Sequence, residues 1–280
     1  MDIKDMTRGA RGIHKYMQIN TATFKILTIS VALLLTAFVL SLVVCIVTHT
    51  SPQSLLASIA SEEIRFAIKL SLATSAVSTV MCIAVSIPAA YALARYDFPG
   101  KALVNTIVDL PLALPPVVAG VGLLILFGTT SFGEWLSGLG LVFVLTPFGI
   151  VIAQFAVNFS FMLLIMRSTF RGISPRYEYV AQTLGCNPIQ AFLQTTLPMS
   201  KNGLIAGGII TWSKGIGEFG AALMLAGATR MKTETLPISL YLNMSCNDLE
   251  LAIAAATILI VISIASLYTF ERYVRSTHIY

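Results

Sequence analysis

The chain alternates long apolar stretches with short charged ones, and the apolar stretches are too long to be strands. Ile26–Val47, Leu70–Ala94, Leu139–Met166 and Leu251–Phe270 hold no charged residue. Ala102–Phe127 holds one, Asp109, and Leu204–Thr229 holds two, Lys214 and Glu218. A helix rises ~1.5 Å per residue, so about 20 apolar residues cross the hydrocarbon of a bilayer. The pattern predicts an all-α membrane protein with six transmembrane helices, at 26–47, 66–94, 102–127, 139–166, 204–229 and 251–270. The first run is longer than a signal-peptide core and is followed by polar chain, so it reads as a mature helix.

Composition agrees. Hydrophobic residues make up 56% of the chain and charged residues 11%, against about 25% charged in soluble domains. Charge placement then sets the orientation, because cytoplasmic segments collect lysine and arginine. With the N-terminus inside, only Arg65, Lys69, Arg230 and Lys232 fall outside, and Lys214 lies in the membrane. Every other lysine and arginine is on the inner side, so both termini are expected to be cytoplasmic. The basic stretch 1–25 reads as a cytoplasmic segment, its first 20 residues either a short interfacial helix or a solvated tail. Trp135 beside Glu134 suits a short outer interfacial segment. Cys45, Cys82, Cys186 and Cys246 are scattered, as are His14, His49 and His278, so no metal or redox spacing is present.

The inner connections are unequal. Arg95–Lys101 is a short turn, whereas the connection 167–203 is long enough to expect a task of its own. Ser174-Pro175 reads as a helix start, and Gly185 as its left-handed stop. After Cys186-Asn187-Pro188 a second amphipathic stretch runs through Ile189, Phe192, Leu193 and Leu197 to Pro198. Two short helices broken by a turn are expected, presenting Leu184–Pro188 to the cytoplasm.

Span 102–127 contains Pro111, Pro115 and Pro116, which remove backbone donors and bend a helix. Freed carbonyls in lipid need neighbours or water, so this segment is expected to line a cavity. Span 204–229 contains Gly203-x-x-x-Gly207, a close-packing spacing, and then Trp212-Ser-Lys-Gly-Ile-Gly-Glu-Phe-Gly220. Lys214 and Glu218, four residues apart on a helix, can pair on one face; Asp109 has no evident partner and suits an exposed helix end. Gly215-Ile-Gly-Glu-Phe-Gly220 formally fits a dinucleotide fingerprint, but the strand, βαβ unit and later acidic residue are missing. A helix-turn-helix reading of 181–192 fails because spans flank it and basic residues are few. Asn243-Met-Ser245 is a formal glycosylation sequon in an outer loop.

Glu178, Tyr179-Val180-Ala181, Thr183, Leu184, Gly185 and, nine residues after that glycine, Thr195-x-Leu197-Pro198 resemble the coupling motif of binding-protein-dependent ABC (ATP-binding cassette) import permeases of type I. The family pattern is Glu-Ala-Ala, three residues, Gly, nine residues, Ile-x-Leu-Pro. Ala181, Gly185, Leu197 and Pro198 hold the register. Tyr179 stands for the glutamate, Val180 for the first alanine and Thr195 for the isoleucine, with Glu178 one position early. The resemblance covers about 66–270 and implies the type I importer permease fold, with 167–203 as a coupling loop seated on an ATPase.

Leu110-Pro-Leu-Ala-Leu-Pro-Pro-Val-Val-Ala-Gly120, Gly217-Glu-Phe-Gly-Ala221 and Thr233-Glu-Thr-Leu-Pro237 are similar to permeases for tetrahedral oxyanions, the molybdate/tungstate members above all. The alternative is a sulfate/thiosulfate permease of the same family. The resemblance implies a homodimer of this permease in a prokaryotic cell membrane, two ATPase subunits inside and a solute-binding protein outside, near Thr229–Glu250 and Ser51–Glu63. It implies a pathway with an apolar gate, drawn from Pro111, Pro115, Pro116, Val117, Val118 and Gly120 on one side. Lys214, Gly215, Gly217, Glu218, Phe219 and Gly220 form the other side.

No Gly-x-x-x-x-Gly-Lys-Ser/Thr loop is present, so ATP and magnesium belong to the partner subunit and no cofactor to this chain. No catalytic or metal-ligating residue is expected, nor a nucleic-acid partner. An ion-coupled secondary transporter would show inverted repeats and ion ligands, and an intramembrane enzyme a nucleophile with a base; neither pattern is found.

Overall fold

The computed structural model describes residues 21–49 and 52–277, and the expected N-terminal helix or tail at 1–20 lies outside them. The chain divides into two units, 1–49 and 50–280. The first is represented by α1 (Thr21–Thr48). Several of its hydroxyls turn back on the helix, among them Thr36 to Ala32 O at 2.8 Å and Thr48 to Val44 O at 2.7 Å.

The second unit is all helical among the described residues. It runs α2 (Pro52–Ala60), α3 (Glu62–Arg95), α4 (Lys101–Ala113), α5 (Pro116–Gly128), α6 (Ser131–Gly138) and α7 (Pro147–Gly172). After α7 come α8 (Arg176–Thr183), α9 (Pro188–Ala191), a π-helical turn at Phe192–Thr196 and α10 (Leu197–Met199). Then follow α11 (Lys201–Ile216), α12 (Gly220–Ala226), α13 (Leu236–Ser245) and α14 (Leu249–Thr277). Ser61 caps α3 by accepting from Ile64 N, and Glu62 and Glu63 in the first turn suit its dipole. Helices α3 and α7 pack along their lengths around Cys82, Ala90, Leu93, Met162, Leu163, Met166 and Phe170. The small polar residues Ser71, Ser75, Ser78 and Ser86 of α3 are buried too. Ser86 donates to Phe159 O at 3.2 Å, which shows how close the two backbones come.

Among the described residues four helices are long and apolar enough to cross a membrane: Thr23–Thr48, Glu62–Arg95, Pro147–Gly172 and Leu249–Arg272. The expected span 102–127 is two helices, α4 and α5, bent by 112°, and makes a fifth crossing if counted as one. The bend falls at Leu114–Pro115, because Pro115 caps α5 and Pro116 opens it, while Pro111 is accommodated inside α4.

Two expected spans are corrected. The run 139–166 is helical only from Pro147; Thr146 caps that start, and Leu145 before it has φ 57° and donates its N–H to Leu225 O. Within that run Phe143 and Val144 pack, Phe143 4.7 Å from the Phe127 ring and Val144 in the cluster around Leu225, while Leu141 and Val142 stay exposed. The run 204–229 is not one helix but α11 and α12 with a break at 217–219, which leaves α11 too short to count as a span.

The expected outer loop 229–250 also differs. Thr233, Glu234, Thr235 and Ile238 are fully buried, and Leu236 N donates to Ser71 Oγ of α3 at 2.8 Å. Asn243 is buried between Arg230 and Ser239, so the sequon offers no exposed acceptor. Arg230 ties this segment to Glu63 at 2.8 Å.

Candidate functional site

The α7–α11 connection forms the two short helices expected. Arg176, not Pro175, opens α8, and Ser174 Oγ accepts from Arg176 N at 3.4 Å. Gly185 ends it with φ 99°, and Gly185 N and Cys186 N donate to Gln182 O and Ala181 O. Thr183 is spent on its own helix, donating to Val180 O. Asn187 and Gln190 close a reciprocal capping box at 2.8 and 3.0 Å, with Pro188 in the first turn. These caps make a rigid elbow. Its outer edge is apolar: Leu184 is 81% exposed and Ile189 71%, with Tyr179 and Val180 exposed beside them. Leu197 and Pro198 lie behind, in α10.

Glu178 is turned the other way. It is 6% exposed, and its carboxylate accepts from Tyr91 Oη at 2.6 Å, Arg95 Nε at 3.2 Å and Thr196 Oγ1 at 2.5 Å. Arg95 also donates to Ile173 O at 2.9 Å. Burial opposes ionisation, but the Thr196 and Tyr91 hydroxyls and the Arg95 guanidinium outweigh it and hold the carboxyl below its ordinary value. The Tyr91 ring packs edge-on to Phe192 and Phe170. The acid near the motif therefore latches the elbow to the end of α3, and Tyr179 is the residue that faces outward. Sequence reading missed Tyr91, Arg95 and Thr196, since nothing in their spacing points at a position so far along the chain.

Asp109 is not a lone helix-end charge. Arg167 of α7 reaches it with Nη2 at 2.8 and 3.1 Å and donates from Nη1 to Asn105 Oδ1 at 2.7 Å. Ser160 Oγ donates to Val108 O at 2.7 Å, so α4 is fastened to α7 by polar contacts.

The proline and glycine residues from the two bent stretches do meet. A Cβ on Gly120 would lie 2.7 Å from Ala221 Cα and 2.8 Å from Met224 Cβ, so only glycine lets α5 lie this close to α12. Gly220 lies against Pro116 and Val117, and the Phe219 ring packs at a tilt against Tyr241, centroids 5.5 Å apart. Val117 and Val118 are exposed. Gln154 Nε2 of α7 donates to Gly215 O at 2.8 Å, holding the α11 carbonyl just before the break at 217–219.

Lys214 and Glu218 do not form the expected pair. Glu218 is buried and accepts from Ala221 N at 2.9 Å, while Lys214 is exposed with Nζ 4.0 Å from the Phe161 ring centre. The break after Ile216 removes the helical register that would bring positions i and i+4 together.

Residues 83–276 match the family described as the inner membrane component of binding-protein-dependent transport systems. A probable molybdenum ABC transporter permease protein of Haloferax volcanii is 32% identical over 95% of this chain and 96% of its own. A molybdenum transport system permease protein of Mycobacterium bovis is 34% identical over 70% of this chain and 75% of its own. A sulfate transport system permease protein of Escherichia coli is 30% identical over 76% and 77%. Among solved structures, a bacterial ABC transporter that imports the acidic polysaccharide alginate superposes with TM-score 0.70 at 18% identity, over 95% of this chain and 99% of that one.

Proposed function

Since the chain belongs to the inner membrane components of binding-protein-dependent transport systems, a family of ABC transport subunits rather than catalytic enzymes, we propose that it is the permease of an ATP-driven oxyanion importer. The substrate class rests on the molybdenum and sulfate permeases it is similar to. Molybdate or tungstate is the first reading, because the molybdenum permease of Haloferax volcanii aligns over nearly the whole chain. Sulfate is the second, favoured by the Escherichia coli relative.

The observation that carries the coupling is the elbow at α8–α9. An exposed apolar edge of Tyr179, Val180, Leu184 and Ile189 suits a groove in an ATPase subunit. Glu178 behind it transmits displacement into α3 and, through α10, into α11. Two copies of this chain would enclose a pathway between the α4–α5 and α11–α12 bends, with Val117 and Val118 as the apolar gate. In this reading α4–α5 and α11–α12 each make one crossing, which gives six with the four long helices, both termini inside. A solute-binding protein would meet the outer side, where Met231, Lys232 and Met244–Asn247 remain exposed. Moving a divalent anion into a cell negative inside costs ~2.3 kcal/mol per charge per 100 mV, so accumulation needs coupling to ATP or to co-transported ions; in this reading the source is ATP, bound with magnesium by the partner subunit.

The test is co-purification of the ATPase. Leu184→Asp, and Gly185→Val at its positive φ, are expected to abolish it while the permease stays monodisperse. Unchanged ATPase binding in both variants would remove the elbow from the coupling path.

A further inference from the structure

We propose that Lys214 is the transient anion-holding residue of the pathway, donating N–H bonds to a divalent tetrahedral oxyanion as it passes the apolar gate; this rests on the oxyanion reading above. Lys214 lies 13 residues into α11, about 20 Å along its axis at ~1.5 Å per residue. That depth is inside a hydrocarbon layer of about 30 Å. A charge there is too costly to face lipid. Yet its side chain is exposed on this chain, while Thr211, Gly215 and Ile216 around it are buried against neighbouring helices. The exposed face must therefore open on a polar space or on the second copy, which in the proposed dimer are the same place.

The ammonium is also chemically available. Among the described residues Lys214 enters no ion pair. The carboxylate four residues on, Glu218, is buried and engaged with Ala221 N. What Lys214 has is the Phe161 ring, 4.0 Å below Nζ. A ring face holds a cation more weakly than a charge-assisted hydrogen bond does, and it leaves the ammonium without a contacting counter-ion. The ring thus parks the ammonium until a dianion draws it off. Gly217, one turn beyond Lys214, is exposed as well, and Val117 and Val118 line the gate beside Gly220. An apolar constriction alone gives a dianion nothing to replace its hydration. One flexible cationic side chain lowers that barrier, and a single charge on a mobile stem still releases what it holds.

A second role for the same geometry is that Lys214 merely offsets the charge of Glu218. The experiment separates the two. The complex of permease, ATPase and binding protein is reconstituted in proteoliposomes, and radiolabelled molybdate and sulfate imported per ATP hydrolysed is measured. Lys214→Met and Lys214→Gln are expected to lower that ratio about tenfold, roughly 1.4 kcal/mol, Lys214→Arg to recover most of it, and Lys214→Met/Glu218→Gln to stay as low as Lys214→Met. Import at the wild-type ratio in both Lys214→Met and Lys214→Gln overturns the proposal, as does recovery in the double variant. If the wild-type complex imports neither anion, the oxyanion reading itself falls and takes this inference with it.

Discussion

The Glu178 carboxylate accepts a hydrogen bond from the Tyr91 hydroxyl at 2.6 Å, joining the α7–α11 elbow to the last turns of a helix 87 positions earlier. Arg95 adds contacts to Glu178 and to Ile173 O, and the Tyr91 ring packs on Phe192, so the elbow is held to the end of α3 at several points. In the proposed coupling, a push on α8 reaches α3 through these contacts.

Removing the charge should weaken that transmission. Hydrogen bonds to charged groups contribute about 1.5–3 kcal/mol, so Glu178→Gln and Tyr91→Phe are each expected to lower the unfolding midpoint of the purified complex and to reduce transport per ATP. Arg95→Met should behave like Glu178→Gln, and Glu178→Gln/Arg95→Met should cost less than the sum of the singles. Fully additive losses would show that the residues do not act together.

The pH dependence follows from the lowered Glu178 value. A carboxyl whose folded value is depressed stabilises the fold above its unfolded value, ~4.3, and loses that contribution as pH falls through the folded one. The stability difference between wild type and Glu178→Gln is expected to be flat from pH 8 to about pH 5 and to shrink below about pH 4. Melting curves across that range check it, and a difference that shrinks towards pH 8 would contradict the assignment.

Arg167 is buried against Asp109 and Asn105. Asp109 keeps part of its surface in contact with the surroundings, so Arg167→Met is expected to lower the melting midpoint by less than the loss of a fully buried pair would and to loosen α4 from α7. Replacing both partners, Arg167→Met with Asp109→Leu, should recover much of the loss in the melting midpoint.

At Gly120 the expected effect is steric. A Cβ 2.7 Å from Ala221 Cα must push α5 and α12 apart, and overpacking costs typically about 1–3 kcal/mol. Gly120→Ala should lower the melting midpoint and leak or jam the pathway. Gly122→Ala, where a Cβ meets nothing within 4 Å, is the control and should do neither.

Much of this was legible from residue types. The long uncharged runs located α1, α3 and α14, and Gly185 with Asn187-Pro188 located the elbow, because a positive φ and a capped proline leave local marks. Hydropathy misplaced the start of α7, since the apolar run begins at Leu139 whereas the helix begins only after the Thr146 cap and the positive φ of Leu145. It also read α11–α12 as one helix, because two glycines and a glutamate in an apolar run do not announce that the glutamate will cap the next helix. The outer segment 229–250 looked like a loop because it is polar, whereas Thr233, Glu234 and Thr235 are polar and buried. The contacts Tyr91–Glu178, Asp109–Arg167 and Lys214–Phe161 each join positions more than 50 residues apart. No periodicity carries such pairings, so only the folded chain shows them.

The proposed ATP-driven oxyanion import through the elbow is measured most directly as molybdate and sulfate uptake into proteoliposomes holding the permease, ATPase and binding protein, with and without ATP and with Leu184→Asp. Uptake of at least one anion that needs ATP and disappears in Leu184→Asp is the predicted result. Uptake that proceeds without ATP, or that survives Leu184→Asp unchanged, would contradict it.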